Sequence, residues 1–293
     1  MALATFKYLY AFKFFMIIGV DCGATFIKAG LVDKNRILRK VQVATEAEKG
    51  KSVSMKNLVS AVEKICSSKI QAIGIGFPAP VEEKKGIICE TNNMPGWKNI
   101  NLKEIIERRF KVPCYVNNDA RCFALAEARY GSGKGKKNIV GITLGTGVGM
   151  GMIIDGKLYS GHTGAAGEIS KVPYHGQNIE NLANLHFFRT VAHIEPQEMV
   201  TKLKKHDSTS QKIMSQYGKN VGILITLIVN IIDPELIILG GGIASLFPYF
   251  KKTLYAEIKK HCFEHVYNNM KIIQSTLDNA AVLGAASLCE CHG

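Results

Sequence analysis

The chain has 293 residues, 47% hydrophobic and 21% charged, and 37 Lys plus Arg against 24 Asp plus Glu leave it at +13. That length exceeds one small core and makes two domains the natural expectation. Beyond the first residues the longest apolar run, Val221 to Ile232, is too short for the roughly 20 residues of a membrane span; the lysines lie in short clusters without interleaved aromatics, a solvated surface rather than a nucleic-acid footprint.

Residues 1–15, MALATFKYLYAFKFF, are apolar, but Lys7 and Lys13 interrupt the run and no small-residue cleavage site precedes Met16. They read as a leader outside the fold and not as a signal peptide. Met16 to Asp33, MIIGVDCGATFIKAGLVD, reads as strand, tight turn and strand: a β-branched run, then Gly23, Ala24 and Thr25, then Ile27 to Val32. Backbone N–H groups at such a small-residue tip can approach phosphate oxygens. Asp21 at the strand end suits magnesium, which takes carboxylate, water and phosphate oxygens. An ordinary hairpin would use the same residues, so the rest of the chain has to decide.

A third strand is expected over Ile37 to Ala44, and apolar residues at Leu58, Val59, Val62 and Ile65 predict a helix from Met55 to Cys66. Ile70 to Phe77 reads as a buried strand stopped by Pro78-Ala79-Pro80. A short strand at Gly86 to Cys89 and a turn-rich loop, TNNMPGW (91–97), follow. Asn101 caps a helix over Leu102 to Phe110, with Glu104 at the capping-box position. A strand from Pro113 to Val116 ends at Asn117-Asn118-Asp119, which opens a helix from Ala120 to Tyr130. After a Gly/Lys linker, a strand over Asn138 to Leu144, the turn GTGVGMG (145–151) and a return strand, Met152 to Ile154, repeat the first arrangement. Two similar lobes facing each other across a nucleotide are therefore expected. Beyond a Gly/Ala-rich loop at 161–171 and an irregular stretch to about 210, a long helix is predicted from Gln211 to Ile232. It is followed by a strand, Leu236 to Leu239, running into Gly240-Gly241-Gly242. A helix from Phe247 to His261, a strand from Lys271 to Gln274 and a terminal helix from Ala280 to Cys289 complete the reading. The eight cysteines form no CxxC pair and no regular spacing, which suits a reducing cytoplasm and argues against structural zinc.

Three glycine-rich turns after strands, with Asp21 and Asp119 at strand ends, resemble the sugar kinase/actin/Hsp70 ATPase superfamily. Within it the chain resembles the ROK family (repressors, open reading frames and kinases). The segments that carry the likeness are DCGATFIKAGLVD (21–33), GIGFPAP (74–80), TNNMPGW (91–97), NNDARCFALAE (117–127), ITLGTGVGMGMIIDGKLYSG (142–161), GAAGEI (164–169), IILGGGIA (237–244) and AAVLGAASL (280–288). The resemblance implies an α/β fold of two ribonuclease-H-like (actin-like ATPase) lobes with a nucleotide cleft between them. The lobes would span 16–119 with the terminal helix 280–293, and 120–279. It implies an ATP-dependent carbohydrate kinase that uses ATP and Mg2+ and assembles as a homodimer, without nucleic-acid or membrane partners.

The resemblance also assigns roles. Asp119 would be the general base towards a sugar hydroxyl; the alternative is a helix N-cap alone, and capping and catalysis could coexist. Asp21 would hold Mg2+ through water. Gly23, Thr25, Thr146 and Gly147 would bind the phosphates, and Gly241 and Gly242 would lie beside the adenosine. Asn93, Asn118, Glu168 and Glu180 would bind sugar hydroxyls. Ala24 and Phe26 depart from the family's phosphate turn. After Glu168, Ser170 and Lys171 stand where the family has Gly-His, and no cysteine lies between Cys122 and Cys262. The zinc motif is thus absent, so no structural zinc is expected, and the substrate implied is N-acetylmannosamine, with phosphorylation at the 6-hydroxyl. A glucokinase-type hexose kinase and a non-catalytic sugar sensor are the alternatives. Fifteen leader residues cannot hold the winged helix-turn-helix of the family's repressors.

Overall fold

The computed structural model describes residues 16–67, 69–91 and 94–291; the leader and the candidate Asn93 lie outside them. The first lobe is a five-stranded sheet. Strand β1 (Met16–Cys22) turns through Gly23 to Thr25 into β2 (Phe26–Asp33), and β3 (Arg36–Ala44) forms the edge. Its outward charges Arg36, Arg39 and Lys40 discourage pairing with another chain. Helix α1 (Lys51–Ile65) crosses to β4 (Ile70–Phe77), which lies parallel to β1. A small sheet of β5 (Val81–Glu82), β6 (Ile87–Ile88) and β7 (Ile100–Asn101), absent from the sequence reading apart from β6, precedes helix α2 (Leu102–Phe110). Asn101 caps α2 as expected, its side chain accepting from Glu104 N at 3.1 Å. Strand β8 (Cys114–Asn118) closes the sheet in the order β3-β2-β1-β4-β8 and feeds helix α3 (Asp119–Arg129).

The second lobe repeats this plan. Strands β9 (Ile139–Leu144), β10 (Val148–Ile154) and β11 (Lys157–Leu158) form the antiparallel part. A two-stranded hairpin, β12 (Pro173–Tyr174) and β13 (Gln177–Asn178), and helices α4 (Pro196–Lys204) and α5 (Ser208–Ile232) lead to β14 (Leu236–Gly240), parallel to β9. Helices α6 (Phe247–Ile258) and α7 (Glu264–Asn269) lead to β15 (Ile272–Gln274), and α8 (Ala280–Cys291) ends the chain. The sheet order, β11-β10-β9-β14-β15, matches the first lobe strand for strand, with the same parallel and antiparallel neighbours. The duplicated turn that the sequence displays is one corner of a duplicated lobe.

Several ends differ from the sequence reading. Helix α1 starts at Lys51 rather than Met55, because its first turn carries Ser54, whose polar Oγ is buried as acceptor for Trp97 Nε1 at 2.8 Å. Helix α5 starts at Ser208 rather than Gln211, where Asp207 accepts from Ser210 N at 2.7 Å. Helix α6 stops at Ile258 rather than His261, and α7 was not anticipated; it buries no side chain, so it carries no apolar period to read. The apolar face of α5 (Met214, Tyr217, Val221, Leu224, Ile225 and Ile228) joins the core of the second lobe.

The helix that follows the last strand of each sheet packs on the other sheet. Helix α3 packs on β9 and β10, and α8 packs on β1 and β4. Where the two helices meet, both are built of small residues, and a Cβ on Gly284 would fall 1.7 Å from Cys122 O. Only glycine permits that approach. The shared core of Ile17, Ala72, Cys122, Ile139, Leu283 and Ala286 therefore spans both sheets, and the start of α3 is held at the junction of the lobes.

Candidate active site

A cavity of about 530 Å³ opens between the sheets, lined by the ends of β1, β14 and β15 and the starts of α3 and α8. Ligands in parallel α/β sheets bind beyond the carboxyl ends of strands, where neighbouring connections diverge. Of the residues expected from the sequence, Asp21, Asp119, Gly241 and Gly242 line it together. Gly241 has φ +85°, and a Cβ there would lie 2.3 Å from Leu144 O. A side chain at that position would both strain the turn and push it away from β9.

The carboxylates of Asp21 and Asp119 share a poorly solvated space. Burial pushes Asp21 up to about 6, the negative charge of Asp119 adds to the rise, and Lys28 opposes it. Asp119 is raised by burial as well, partly offset by the backbone N–H of Ala120, which donates to its Oδ1 at 2.8 Å. The alternative that Asp119 is merely the N-cap does not hold. That task falls to Asn118, whose Oδ1 accepts from Ala120 N at 3.0 Å and Arg121 N at 3.2 Å. Asp119 is the first residue of the helix itself. Asn118 has its carbonyl committed to the helix and its amide turned to Ala79 O at 3.4 Å.

The two hairpin turns flank the cavity without forming its lining. Thr25 and Thr146 at their tips are exposed, and Gly23 N closes its turn on Phe26 O at 3.0 Å. A residue that the sequence reading missed braces the first turn: buried Thr45 donates its hydroxyl to Gly23 O at 2.6 Å and its N–H to Thr25 O at 2.9 Å. Glu168 is half-buried and its carboxyl is raised by burial. Arg121 opposes that rise, while Asp119 and Glu180 reinforce it. Glu180 Oε2 lies 3.3 Å from where a Cβ on Gly147 would stand. Glu168 and Glu180 thus come close to Asp119 and to the second turn, although they lie far apart in sequence.

Other lining residues were also unanticipated: Lys28, Thr143, Ser245, Gln274, Ser275 and Asn279. Two were within reach of hairpin counting. Lys28 pairs directly with Asp21 across β1 and β2, and Thr143 holds the position in β9 that Asp21 holds in β1, one residue before the last pair of its hairpin. Gln274 and Ser275 lie at the end of a three-residue strand, which carries too little pattern to single them out.

Among the described residues no cluster of three or more His, Cys, Asp or Glu is arranged to hold a metal ion, and no helix is long and apolar enough to cross a membrane. With this geometry in view, comparison with known proteins is decisive. The ROK family model matches residues 17–291. The chain belongs to the ROK family. It is 30% identical to a glucokinase of Halalkalibacterium halodurans, covering 93% of this chain and 94% of that one. It is 25% identical to a xylose repressor of Caldicellulosiruptor bescii, over 93% of this chain and 77% of the repressor. It superposes on a ROK glucokinase from Streptomyces griseus, solved with glucose and AMPPNP, at a TM-score of 0.82 and 25% identity, covering 93% of this chain and 98% of that one. The two lobes have the actin-like ATPase fold, and this ROK member is an ATP-dependent carbohydrate kinase.

Proposed function

We propose that this ROK kinase transfers the γ-phosphoryl group of ATP to the 6-hydroxyl of a hexose or N-acylhexosamine, with N-acetylmannosamine as its substrate and Asp119 as the general base. The observation that carries the reading is the placement of Asp119. Its carboxyl sits at the helix start that both lobes grip, in one cavity with Asp21 and the Gly241-Gly242 turn. A sugar hydroxyl is far less acidic than a carboxyl group, so Asp119 orients it and takes its proton late, as the bond to phosphorus forms. Burial raises the affinity of Asp119 for that proton. Glu168, Glu180, Asn118 and Asn93 would fix the sugar, the kind of orientation that in-line transfer needs. The remaining donor hydrogens of the Asn118 amide are its free means of doing so, since its carbonyl serves the helix.

Two desolvated carboxylates beside a phosphate path fit a divalent cation, whose charge would relieve the strain that raises Asp21. Asp21 would hold Mg2+ through water, and the ion, when bound, would neutralise charge on the β- and γ-phosphates. Gly23, Thr25, Thr146 and Gly147 would contact those phosphates from the turn backbones. Closure of the lobes (16–119 with 280–293, and 120–279) would exclude water from the transfer. A homodimer completes the proposal; Ile231, 77% exposed, and Phe263, 85% exposed, give the second lobe apolar surface for such a contact.

The test is ADP release with N-acetylmannosamine, N-acetylglucosamine, glucose, mannose, fructose and allose, alongside Asp119→Asn. Preferred turnover of N-acetylmannosamine, lost in the variant, supports the reading. Preference for glucose would replace the substrate but keep the kinase. No turnover of any sugar, with sugar or ATP still bound, would leave a non-catalytic sensor.

A further inference from the structure

Arg121 stands two residues after Asp119, in the first turn of α3, and is 0% exposed. A cation at a helix N-terminus is opposed by the helix dipole, and a buried guanidinium is costly unless hydrogen-bonded. Local helix preference therefore does not explain it; its partners do. Nη2 donates to Gly164 O at 2.7 Å and to Ala166 O at 2.6 Å, and Nη1 donates to Asn117 Oδ1 at 3.2 Å. Nε has no hydrogen-bond partner among the described residues, so the side chain is placed for the two loop carbonyls rather than for its own saturation.

Those carbonyls belong to the loop 161–168 that delivers Glu168. The loop leaves the second lobe after β11 and reaches the small sheet of the first. At Gly164, with φ +79°, a Cβ would lie 1.9 Å from Val81 O. Near its start a second tie parallels the first: Asn117 Nδ2 donates to Ser160 Oγ at 3.4 Å, and Ala166 N donates to Ser160 O at 3.2 Å. Arg121 and Asn117 thus fasten the loop at its crossing to the strand–helix corner that carries Asp119.

We propose that Arg121 is a positioning residue for the acceptor: by holding Gly164 and Ala166 it sets Glu168 against Asp119 and so governs sugar binding rather than nucleotide binding. The proposal rests on the kinase reading above. Its charge also favours the ionised form of Glu168, the form that accepts hydrogen bonds from sugar hydroxyls.

Arg121→Met removes the donors, and Arg121→Lys keeps the charge without the planar fork. The KM for sugar is expected to rise about tenfold or more in Arg121→Met, since a misplacement of about 1 Å can cost about 10²-fold. The KM for ATP should stay within about twofold, because Arg121 does not line the nucleotide cavity. Arg121→Lys should fall between wild type and Arg121→Met, and it supplies the comparison if Arg121→Met does not fold. Hydrogen exchange should accelerate in amides 161–168 and not in β9 or α5. Equal rises in both KM values, an unchanged sugar KM, or unchanged loop exchange would overturn the proposal. A wild-type enzyme inactive on every sugar would instead sink the kinase reading. Loop exchange and sugar affinity by calorimetry, measured on the same variants, would then still decide the role of Arg121.

Discussion

Asp21→Asn tests the electrostatics of the site apart from its chemistry. The rise of the Asp21 carboxyl from 3.8 to about 6 corresponds to about 3 kcal/mol held against the folded state when the group is ionised. The sign follows from proton binding. The folded state binds this proton more tightly than the unfolded chain, so the penalty is absent below about pH 4, grows between about pH 4 and 6, and is complete above about pH 6. Asparagine has nearly the same shape and no charge, so the variant escapes the penalty, including the repulsion from Asp119. Thermal unfolding of the ligand-free protein should show Asp21→Asn more stable than wild type at pH 8, by up to about 3 kcal/mol. The advantage should shrink towards zero near pH 4, while phosphoryl transfer is lost at both pH values. Adding ATP with Mg2+ should stabilise wild type more than the variant, because ligand that binds only the folded state stabilises it by mass action. A variant that is no more stable at pH 8, or equally favoured at both pH values, would refute the desolvated-carboxylate argument.

Asp119→Asn should lower kcat by about 10²–10⁴-fold, the usual contribution of a positioned general base, with the KM for ATP little changed; steady-state kinetics on the preferred sugar would check it. Thr45→Val removes the hydroxyl that holds Gly23 O and should lower stability by about 1 kcal/mol while raising the KM for ATP more than that for sugar. Gly284→Val has no room against Cys122 O and should yield little soluble protein, whereas the same change at Gly176, where a Cβ meets nothing within 4 Å, should cost far less despite its positive φ; expression and unfolding measurements would compare the two. Trp97, buried against the Phe77 ring at 4.6 Å, should report sugar binding through its fluorescence, since it is the chain's one tryptophan and closes the TNNMPGW loop.

Much of the fold was legible because its signals are local. The buried strands Ile70–Phe77 and Ile139–Leu144 carry continuous apolar runs, α5 carries a helical period over its length, and Asp233-Pro234 ends it. The hairpin turns and the strand-end acids are legible in the same way, and they carry the resemblance to the family. Element starts were less legible where a polar residue is buried by tertiary contact, as Ser54 is under Trp97. The short strands of the small sheet and helix α7 have too few residues to show a period.

The sequence by itself determined the order of the main strands and helices, the family and the acids that its motifs single out, since backbone propensity, turn chemistry and motif spacing act over a few residues. Tertiary structure decided which of those residues meet. It assigned the cap of α3 to Asn118 and freed Asp119 to face the cavity, because only the folded junction shows which carbonyl reaches the helix N–H groups. It brought Lys28, Thr143 and Gln274 to the cavity from strands far apart in the chain. It also turned Arg121, unremarked between Asp119 and a cysteine in the sequence, into a buried tie to a loop more than forty residues away. The hydrogen bonds of Arg121 join groups far apart in the chain, and nothing in the local sequence around either one encodes the meeting.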